Sequence, residues 1–155
     1  MADRVKKIAV CLSEAHGYLN TSFLKELYRC ADDSGYRVEV FNSTLDFSWF
    51  RRDDQVPRAI YRALPFDAFE ALLIVCHSFH DEALTRELIE EANRHGIPVI
   101  CAGGAFENCW TIQNDYESCY KDLLRHVISE HGARETFFIA GVQGEANSVS
   151  RLRLY

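Results

Sequence analysis

The side chains that could do chemistry in this sequence include histidines that directly follow short apolar segments. His77 and His80 come after the apolar segment Ala71 to Cys76, and His16 follows a similar segment near the N-terminus. Three histidines can coordinate zinc. No CxxC pair and no HExxH helix accompanies them, so the pattern disfavours a metal site and we expect none.

A nucleophilic enzyme would need a cysteine or serine beside a histidine and an orienting acid. Cys76 and His77 are adjacent in sequence, so at a strand end their side chains tend to point apart. Gly103-Gly104 and Gly141 to Gly144 could cradle a phosphate, but no GxGxxG or GxxxxGK[ST] motif is present. We expect turn glycines, no cofactor and no enzymatic activity. A flavodoxin-like or nucleotide-binding enzyme domain is the alternative.

The cysteines and the N-terminal segment favour a cytoplasmic protein. No two cysteines form CxxC and three lie in or at the end of apolar segments, so we expect reduced, mostly buried thiols. The short apolar run near the N-terminus is too short for a signal peptide or a membrane span. The six cysteines are Cys11, Cys30, Cys76, Cys101, Cys109 and Cys119.

Composition and charge predict a soluble, globular chain. Of its 155 residues, 48% are hydrophobic and 26% are charged, and the net charge is -6. Basic residues form no run longer than a pair, so direct contact with nucleic acid is not expected. The length suits one compact body.

Apolar segments and helical periodicity alternate along the chain. Such alternation predicts an α/β fold with a parallel sheet and helices on both faces. The predicted strands are Lys7 to Leu12, Arg37 to Phe41, Ala71 to Cys76, Pro98 to Ala102 and Thr136 to Gly141. The predicted helices are Thr21 to Ser34, capped within Asn20 to Ser22 and stopped at Gly35; Asp54 to Leu64; Asp81 to His95-Gly96; and Asp115 to His131-Gly132.

Ligands of open parallel sheets bind at the carboxyl ends of the strands. The loops at that edge therefore contain the candidate site. They are Ser13 to Asn20, His77 to His80, Ala102 to Cys109, Asn114-Asp115 and Val142 to Arg151.

Taken in order, these segments resemble the sensor domain of LacI-type repressors and the related type I periplasmic sugar-binding proteins. The family opens with a strand and a polar loop that lead into a helix ending in GY; here these are KIAVCLSEAHGYLN and Ser34-Gly35-Tyr36. Later family motifs are matched by GIPVI and by LLRHVISEHGARETFFIAG. Phe66 to Phe69 precedes the strand ALLIV as in the family. The most specific matches are Ile112 to Asp115, for VxxD, and Ser148 to Arg151, for SxxR.

The resemblance implies a Rossmann-like, three-layer, doubly wound sheet with strand order 2-1-3-4-5. Residues 1–155 would form the first lobe of a type I periplasmic-binding-protein-like fold, with the second lobe and an output domain outside this sequence. Two features depart from the family: Leu154 stands where a small residue is common, and no helix-turn-helix segment precedes the first strand. A sensor that starts at its first strand is similar to input domains of cytoplasmic signalling proteins, including some GGDEF-type diguanylate cyclases.

The function implied by the resemblance is that of a regulatory module that senses a small polar ligand, sugar-like or similar, and forms a homodimer. Arg151 lies where the family has an arginine that donates bidentate hydrogen bonds to the ligand; an ordinary salt bridge is the alternative. Asp115 is expected to accept hydrogen bonds from the ligand or to cap the helix that follows it.

The loops after the first and third strands supply the remaining candidate ligand-binding residues. His16 and Tyr18 belong to the first loop, and His77 and Ser78 follow the third strand directly. Tyr18 could stack on the apolar face of a sugar ring, or pack with other aromatic side chains. The aromatic residues considered with it are Phe47, Trp49 and Phe50.

Overall fold

The computed structural model describes residues 5–44, 56–79, 81–140 and 146–155. The chain divides into two compact units, Met1–Gln113 and Asn114–Tyr155. The sequence predicts one compact body, and the structure differs in this respect. The division falls inside the segment Ile112 to Asp115.

The first unit is built on a five-stranded parallel sheet with the order β2-β1-β3-β4-β5. The predicted order 2-1-3-4-5 is confirmed, and the first four predicted strands are present. The strands are β1, Lys6–Ser13; β2, Tyr36–Ser43; β3, Ala71–Val75; β4, Val99–Ala102; and β5, Trp110–Ile112.

The fifth strand is not the segment that the sequence predicts. Trp110 of β5 pairs with Ile100 of β4, and the amide of Gly103 donates to the carbonyl of Ile112 at 2.9 Å. Residues 136–140 form no strand, and Gly141 lies outside the described residues. β5 has only three residues, all of them exposed, so its short apolar segment is too short to predict a strand from the sequence.

Helices cover both faces of this sheet. The alternating side chains of β1 explain the two layers: Val10 and Leu12 pack with Leu24 on one face, and Ala9 and Cys11 face a second core on the other. The second core contains side chains from two further helices and the segment between them. The helices are α1, Tyr18–Asp33; α2, Val56–Arg62; and α3, Glu82–Arg94, with single 3₁₀ turns at Phe66–Ala68 and Cys76–Ser78.

α1 begins earlier than the sequence predicts. Gly17, in an extended conformation, precedes its first residue, Tyr18, and provides no side-chain cap. Asn20, predicted as part of the cap, lies buried within the helix, and its amide donates to the carbonyls of Ser13 at 2.9 Å and Glu14 at 3.1 Å. The predicted capping residue is therefore used to hold the end of β1.

Three other predicted helix ends agree with the structure, whereas the predicted start of the second helix at Asp54 lies outside the described residues. The Asp81 carboxylate accepts a hydrogen bond from the amide of Leu84 at 3.0 Å and caps α3. Gly35 and Gly96 follow α1 and α3 with φ of 74° and 68°, a left-handed conformation that glycine adopts without strain.

The second unit contains two helices, α4, Tyr116–Ser129, and α5, Ala146–Leu154. The ring of Phe138 lies between Tyr120, at a centroid distance of 6.2 Å, and Tyr155, at 5.3 Å. None of the helices in the described part of the chain is both long and apolar enough to cross a membrane.

Candidate functional site

The carboxyl ends of the adjacent strands β1 and β3 are joined by a serine pair. The hydroxyl of Ser78 accepts from the amide of Ser13 at 3.0 Å and donates to the carbonyl of Val75 at 2.7 Å. In return, the Ser13 hydroxyl donates to the Ser78 carbonyl. Because these bonds connect positions 65 residues apart, they fix the loop after β1 relative to the loop after β3.

The loop after β1 is also tied to the end of β2. The amide of Glu14 donates to the carbonyl of Ser43 at 2.8 Å, and the amide of Ala15 donates to the side-chain oxygen of Asn42 at 2.9 Å. Glu14 has a φ of 52°, and its carbonyl accepts from the amide of Gly17 at 2.8 Å, so the chain turns sharply at this residue. The loop backbone is therefore held before any ligand is present, and its side chains are presented from a fixed frame.

Three predicted ligand-binding residues lie exposed at this edge of the first unit. His16 lies in the loop after β1, and Tyr18, 85% exposed, is the first residue of α1. His77 lies in the 3₁₀ turn after β3. Ser78 lies beside it, but its hydroxyl is used in the serine pair, which gives this residue a structural role that the sequence did not predict.

The glycines after β4 make room for neighbouring side chains. A Cβ on Gly103 would lie 2.8 Å from Nδ1 of His77, and one on Gly104 would lie 2.7 Å from the ring of Phe106. These glycines therefore accommodate a histidine and an aromatic ring, as expected for turn and packing glycines.

Replacing Gly103 by alanine should displace His77 as well as strain the backbone. The residue has a φ of 85°, which costs an L-residue about 1 to 2 kcal/mol, and the steric overlap should add about 1 to 3 kcal/mol. Gly96→Ala is the matched control, since it has a similar φ with open space around its Cβ position. Urea denaturation of both variants measures the difference. Equal losses of stability would show that His77 does not pack on Gly103.

The other two predicted ligand-binding residues belong to the second unit. The Asp115 carboxylate accepts from the amide of Ser118 at 3.0 Å, which lowers the pKa of Asp115 and confirms its predicted role as the N-cap of α4. The guanidinium of Arg151 is exposed and lies 5.8 Å from the ring centroid of Tyr116, a cation–π contact. Ligand contact by either residue stays a prediction.

The remaining candidates from the sequence are the aromatic residues after β2, a metal site and the cysteines. Phe47, Trp49, Phe50 and His80 lie outside the described residues. Among the residues that the structure does describe, no group of three or more histidine, cysteine or acidic side chains could hold a metal ion. All six cysteines are free, as predicted, but only Cys11 and Cys101 are buried. Cys76 and Cys109 are half-buried, and Cys30 and Cys119 are exposed, so the prediction of mostly buried thiols is wrong for these last two.

Sequence reasoning missed two residues that shape the edge of the sheet. Tyr61 of α2 donates to the carbonyl of Leu12 at 2.6 Å and accepts from the amide of Ser43 at 2.9 Å, so it links the ends of β1 and β2. Asn20 secures the end of β1 from within α1. Neither has a local signal, because the first looks like an ordinary core aromatic and the second like a helix cap.

Comparisons with known proteins locate the fold. Neither the protein-family models nor the curated proteins contain a match to the chain. Among solved structures, an ABC transporter solute-binding protein from Clostridium phytofermentans with bound beta-D-glucose is similar, with a TM-score of 0.60 and 12% sequence identity. The match covers 84% of this chain and 39% of that protein. An ABC sugar transporter subunit from Rhodobacter sphaeroides matches with a TM-score of 0.61 and 12% identity, over 82% of this chain and 42% of that protein.

A third similar structure is a regulator. The LacI family transcriptional regulator CCPA from Weissella paramesenteroides, with bound sucrose, has a TM-score of 0.61 and 14% identity over 96% of this chain and 53% of that one. The chain thus spans between about two fifths and about half of the length of these proteins. Together with the strand order, these likenesses show that the chain has the type I periplasmic-binding-protein-like fold, at a length that fits a single lobe.

Proposed function

We propose that this chain is the ligand-binding half of a sensor for a small polar molecule of the sugar class. The observation that carries the proposal is the position of three exposed side chains, His16, Tyr18 and His77, in the segments that follow β1 and β3, two adjacent strands whose ends are joined by the Ser13 and Ser78 pair. Ligands of open parallel sheets bind at this edge. The related folds that carry beta-D-glucose and sucrose favour the same class of ligand.

The chemistry of the exposed side chains suits a neutral, hydroxyl-rich ligand. Tyr18 offers an aromatic face against which the apolar face of a sugar ring can pack. The imidazoles of His16 and His77 can donate hydrogen bonds to the hydroxyl groups of a ligand or accept hydrogen bonds from them. A nucleotide fits less well, because the loop after β1 carries the carboxylate of Glu14, and Gly103 and Gly104 are closed in by neighbouring side chains.

The sensor acts, in this proposal, as part of a cytoplasmic signalling or transcription regulator. Residues 1–155 would form the first lobe, and a second lobe would close over the ligand and bias an output domain, for which a GGDEF diguanylate cyclase is the candidate. Closure transmits a signal only through the difference in ligand affinity between open and closed states. The chain itself binds and does not catalyse.

A panel of neutral mono- and disaccharides tests the proposed ligand class. We expect at least one sugar to raise the melting temperature of the full-length protein, and calorimetry to show that Tyr18→Ala weakens its binding about two- to tenfold. Arg151→Ala should weaken binding about ten- to a hundredfold, because it removes a charged donor from a closed site.

The matched controls are an exposed tyrosine and an exposed arginine of the same helices. Tyr28→Ala in α1 and Arg153→Ala in α5 should leave the affinity unchanged. If Tyr18→Ala and Tyr28→Ala bind alike, the sugar does not stack on Tyr18. If no sugar of the panel changes the melting temperature, the proposed ligand class is wrong.

We also propose that the chain forms a homodimer through α1 and α2, which both pack against β2. Phe23 of α1 and Ile60 of α2 are exposed apolar side chains, and symmetric dimers are the commonest assembly. Light scattering at about 10 to 50 µM, within the range of transient affinities, should give the dimer mass. Phe23→Glu should give the monomer mass. A wild-type monomer at these concentrations would contradict the proposal.

A further inference from the structure

Three thiols converge where the chain leaves β4 and returns to form β5. The sulfur of Cys109 lies 3.5 Å from the sulfur of Cys101, and the pKa of Cys101 is raised by its interaction with a third thiol, that of Cys76. Cys101 is fully buried, while Cys76 and Cys109 are half-buried. This cluster has no part in the proposed sugar site.

Cys101 and Cys109 are the pair best placed to become covalently joined. Their sulfur atoms are already in van der Waals contact at 3.5 Å, so a disulfide of about 2.05 Å needs an approach of only about 1.5 Å. Cys109 directly precedes β5, a three-residue strand whose residues are all exposed. An element at the border of the sheet can make this movement without disturbing the core.

Cys76 is less suited to the same reaction. It lies in the 3₁₀ turn that continues β3, and its thiol donates to the carbonyl of Ile74 at 3.5 Å. β3 lies between β1 and β4, with partners on both sides. Cys11 is fully buried in the same core, but it lies on β1, which β3 and β4 separate from β5.

We propose that Cys101 and Cys109 form a reversible disulfide and so make a redox-modification site on the loop after β4. The thiols are reduced in the structure, and such bonds in reducing compartments are usually transient and regulatory. The oxidant is a low-molecular-weight disulfide such as oxidised glutathione.

The exchange proceeds in two balanced steps. The thiolate of the half-buried Cys109 attacks one sulfur of the small disulfide, which releases one small thiolate and leaves a mixed disulfide on Cys109. The thiolate of Cys101 then attacks the Cys109 sulfur and releases the second small thiolate. The two cysteine protons pass through solvent to the departing thiolates, so the protein loses two electrons and the small disulfide gains them.

The bond would change the loop that borders the candidate ligand site. It closes a ring containing residues 102–108, and Gly103 within that ring contacts the imidazole of His77. Oxidation therefore fixes the loop on which His77 packs. Burial raises the pKa of Cys109 to about 11, and the neighbouring Cys101 adds to the shift, so exchange is slow at neutral pH.

The test uses the full-length protein with Cys30→Ser and Cys119→Ser, which remove the two exposed thiols. It is equilibrated with reduced and oxidised glutathione at about pH 8.5, quenched with acid, alkylated after unfolding and digested for mass spectrometry. We expect one linked peptide pair, Cys101 with Cys109, with a mass lower by two hydrogens.

Two single variants distinguish this pairing from its rivals. Cys109→Ser should abolish the internal disulfide, and Cys76→Ser, the matched control from the same cluster, should retain it at more than half of the level in the parent protein. Excess reductant should restore both thiols. Three results would overturn the proposal: a glutathione adduct on Cys109 without the internal disulfide, a link between Cys76 and Cys101, or no oxidation at all.

Discussion

Replacing Asp81 by alanine is expected to lower the free energy of unfolding by about 3 to 5 kcal/mol. The carboxylate of Asp81 accepts from Nη2 of Arg58 at 2.6 Å and from Nε at 2.8 Å, and the two side chains are only 10% and 14% exposed. The substitution leaves the Arg58 guanidinium partly buried without its carboxylate. It also removes the cap on the amide of Leu84, which is part of the expected loss.

Variants of the same pair separate the charge from the cap. Asp81→Asn keeps an oxygen that can accept from Leu84, so it should be less destabilising than Asp81→Ala. Combining Asp81→Ala with Arg58→Met should recover part of the loss, because no buried charge remains. Chemical denaturation measures all three variants.

An exposed ion pair in the same unit provides the matched control. Arg62 Nε donates to Glu87 at 2.7 Å, but these side chains are 40% and 44% exposed. Since water screens such a pair, Glu87→Ala should cost less than about 1 kcal/mol. If Asp81→Ala costs no more than Glu87→Ala, the Arg58 and Asp81 pair behaves as a surface pair and its burial does not strengthen it.

Truncating Tyr61 is the second change with a large expected effect. The side chain is fully buried, and its hydroxyl links the carbonyl of Leu12 to the amide of Ser43. The centroids of the Tyr61 and Phe79 rings are 4.7 Å apart. Tyr61→Phe should cost about 1 to 3 kcal/mol, because two buried backbone groups lose this hydroxyl. Tyr61→Ala, which also leaves a cavity, should cost about 3 to 5 kcal/mol.

Native-state hydrogen exchange can locate the effect of Tyr61→Phe. The amide of Ser43 should exchange faster by more than the global loss of stability accounts for, since its hydrogen bond to the hydroxyl is removed. Tyr28→Phe is the control, because Tyr28 is 46% exposed and its change should stay within about 0.5 kcal/mol. A Tyr61→Phe protein as stable as wild type would mean that the hydroxyl does not hold the two strand ends.

The stability of these strand ends bears directly on the proposed sensor. His16 and Tyr18 are presented by a loop that is anchored by Tyr61, by Asn20 and by the serine pair, all of which contact the last residues of β1. A loop that is ordered before binding loses less conformational entropy when the ligand arrives. We therefore expect Tyr61→Phe to weaken sugar binding modestly while leaving the ligand preference unchanged.

The sequence by itself determined the α/β alternation, the first four strands and two helix caps. Each of these has a local cause. Buried strands need continuous apolar runs such as Ala71–Val75, and the caps at Asp81 and Asp115 use a side chain and an amide three residues apart. Gly35 and Gly96 were predicted as helix stops, because helices often end on a residue in the left-handed backbone conformation and glycine adopts this conformation without strain.

Only the tertiary structure decided which segment completes the sheet and which side chains build its edge. Trp110–Ile112 pairs with β4, whereas residues 136–140 form no strand although they are more apolar. Joining a sheet requires hydrogen bonds to a neighbouring strand, and an apolar run does not specify that neighbour. Tyr61 reaches Leu12 across 49 residues, and Cys109 reaches Cys101 only once β5 has paired. Such contacts depend on how distant segments pack, which local periodicity does not encode.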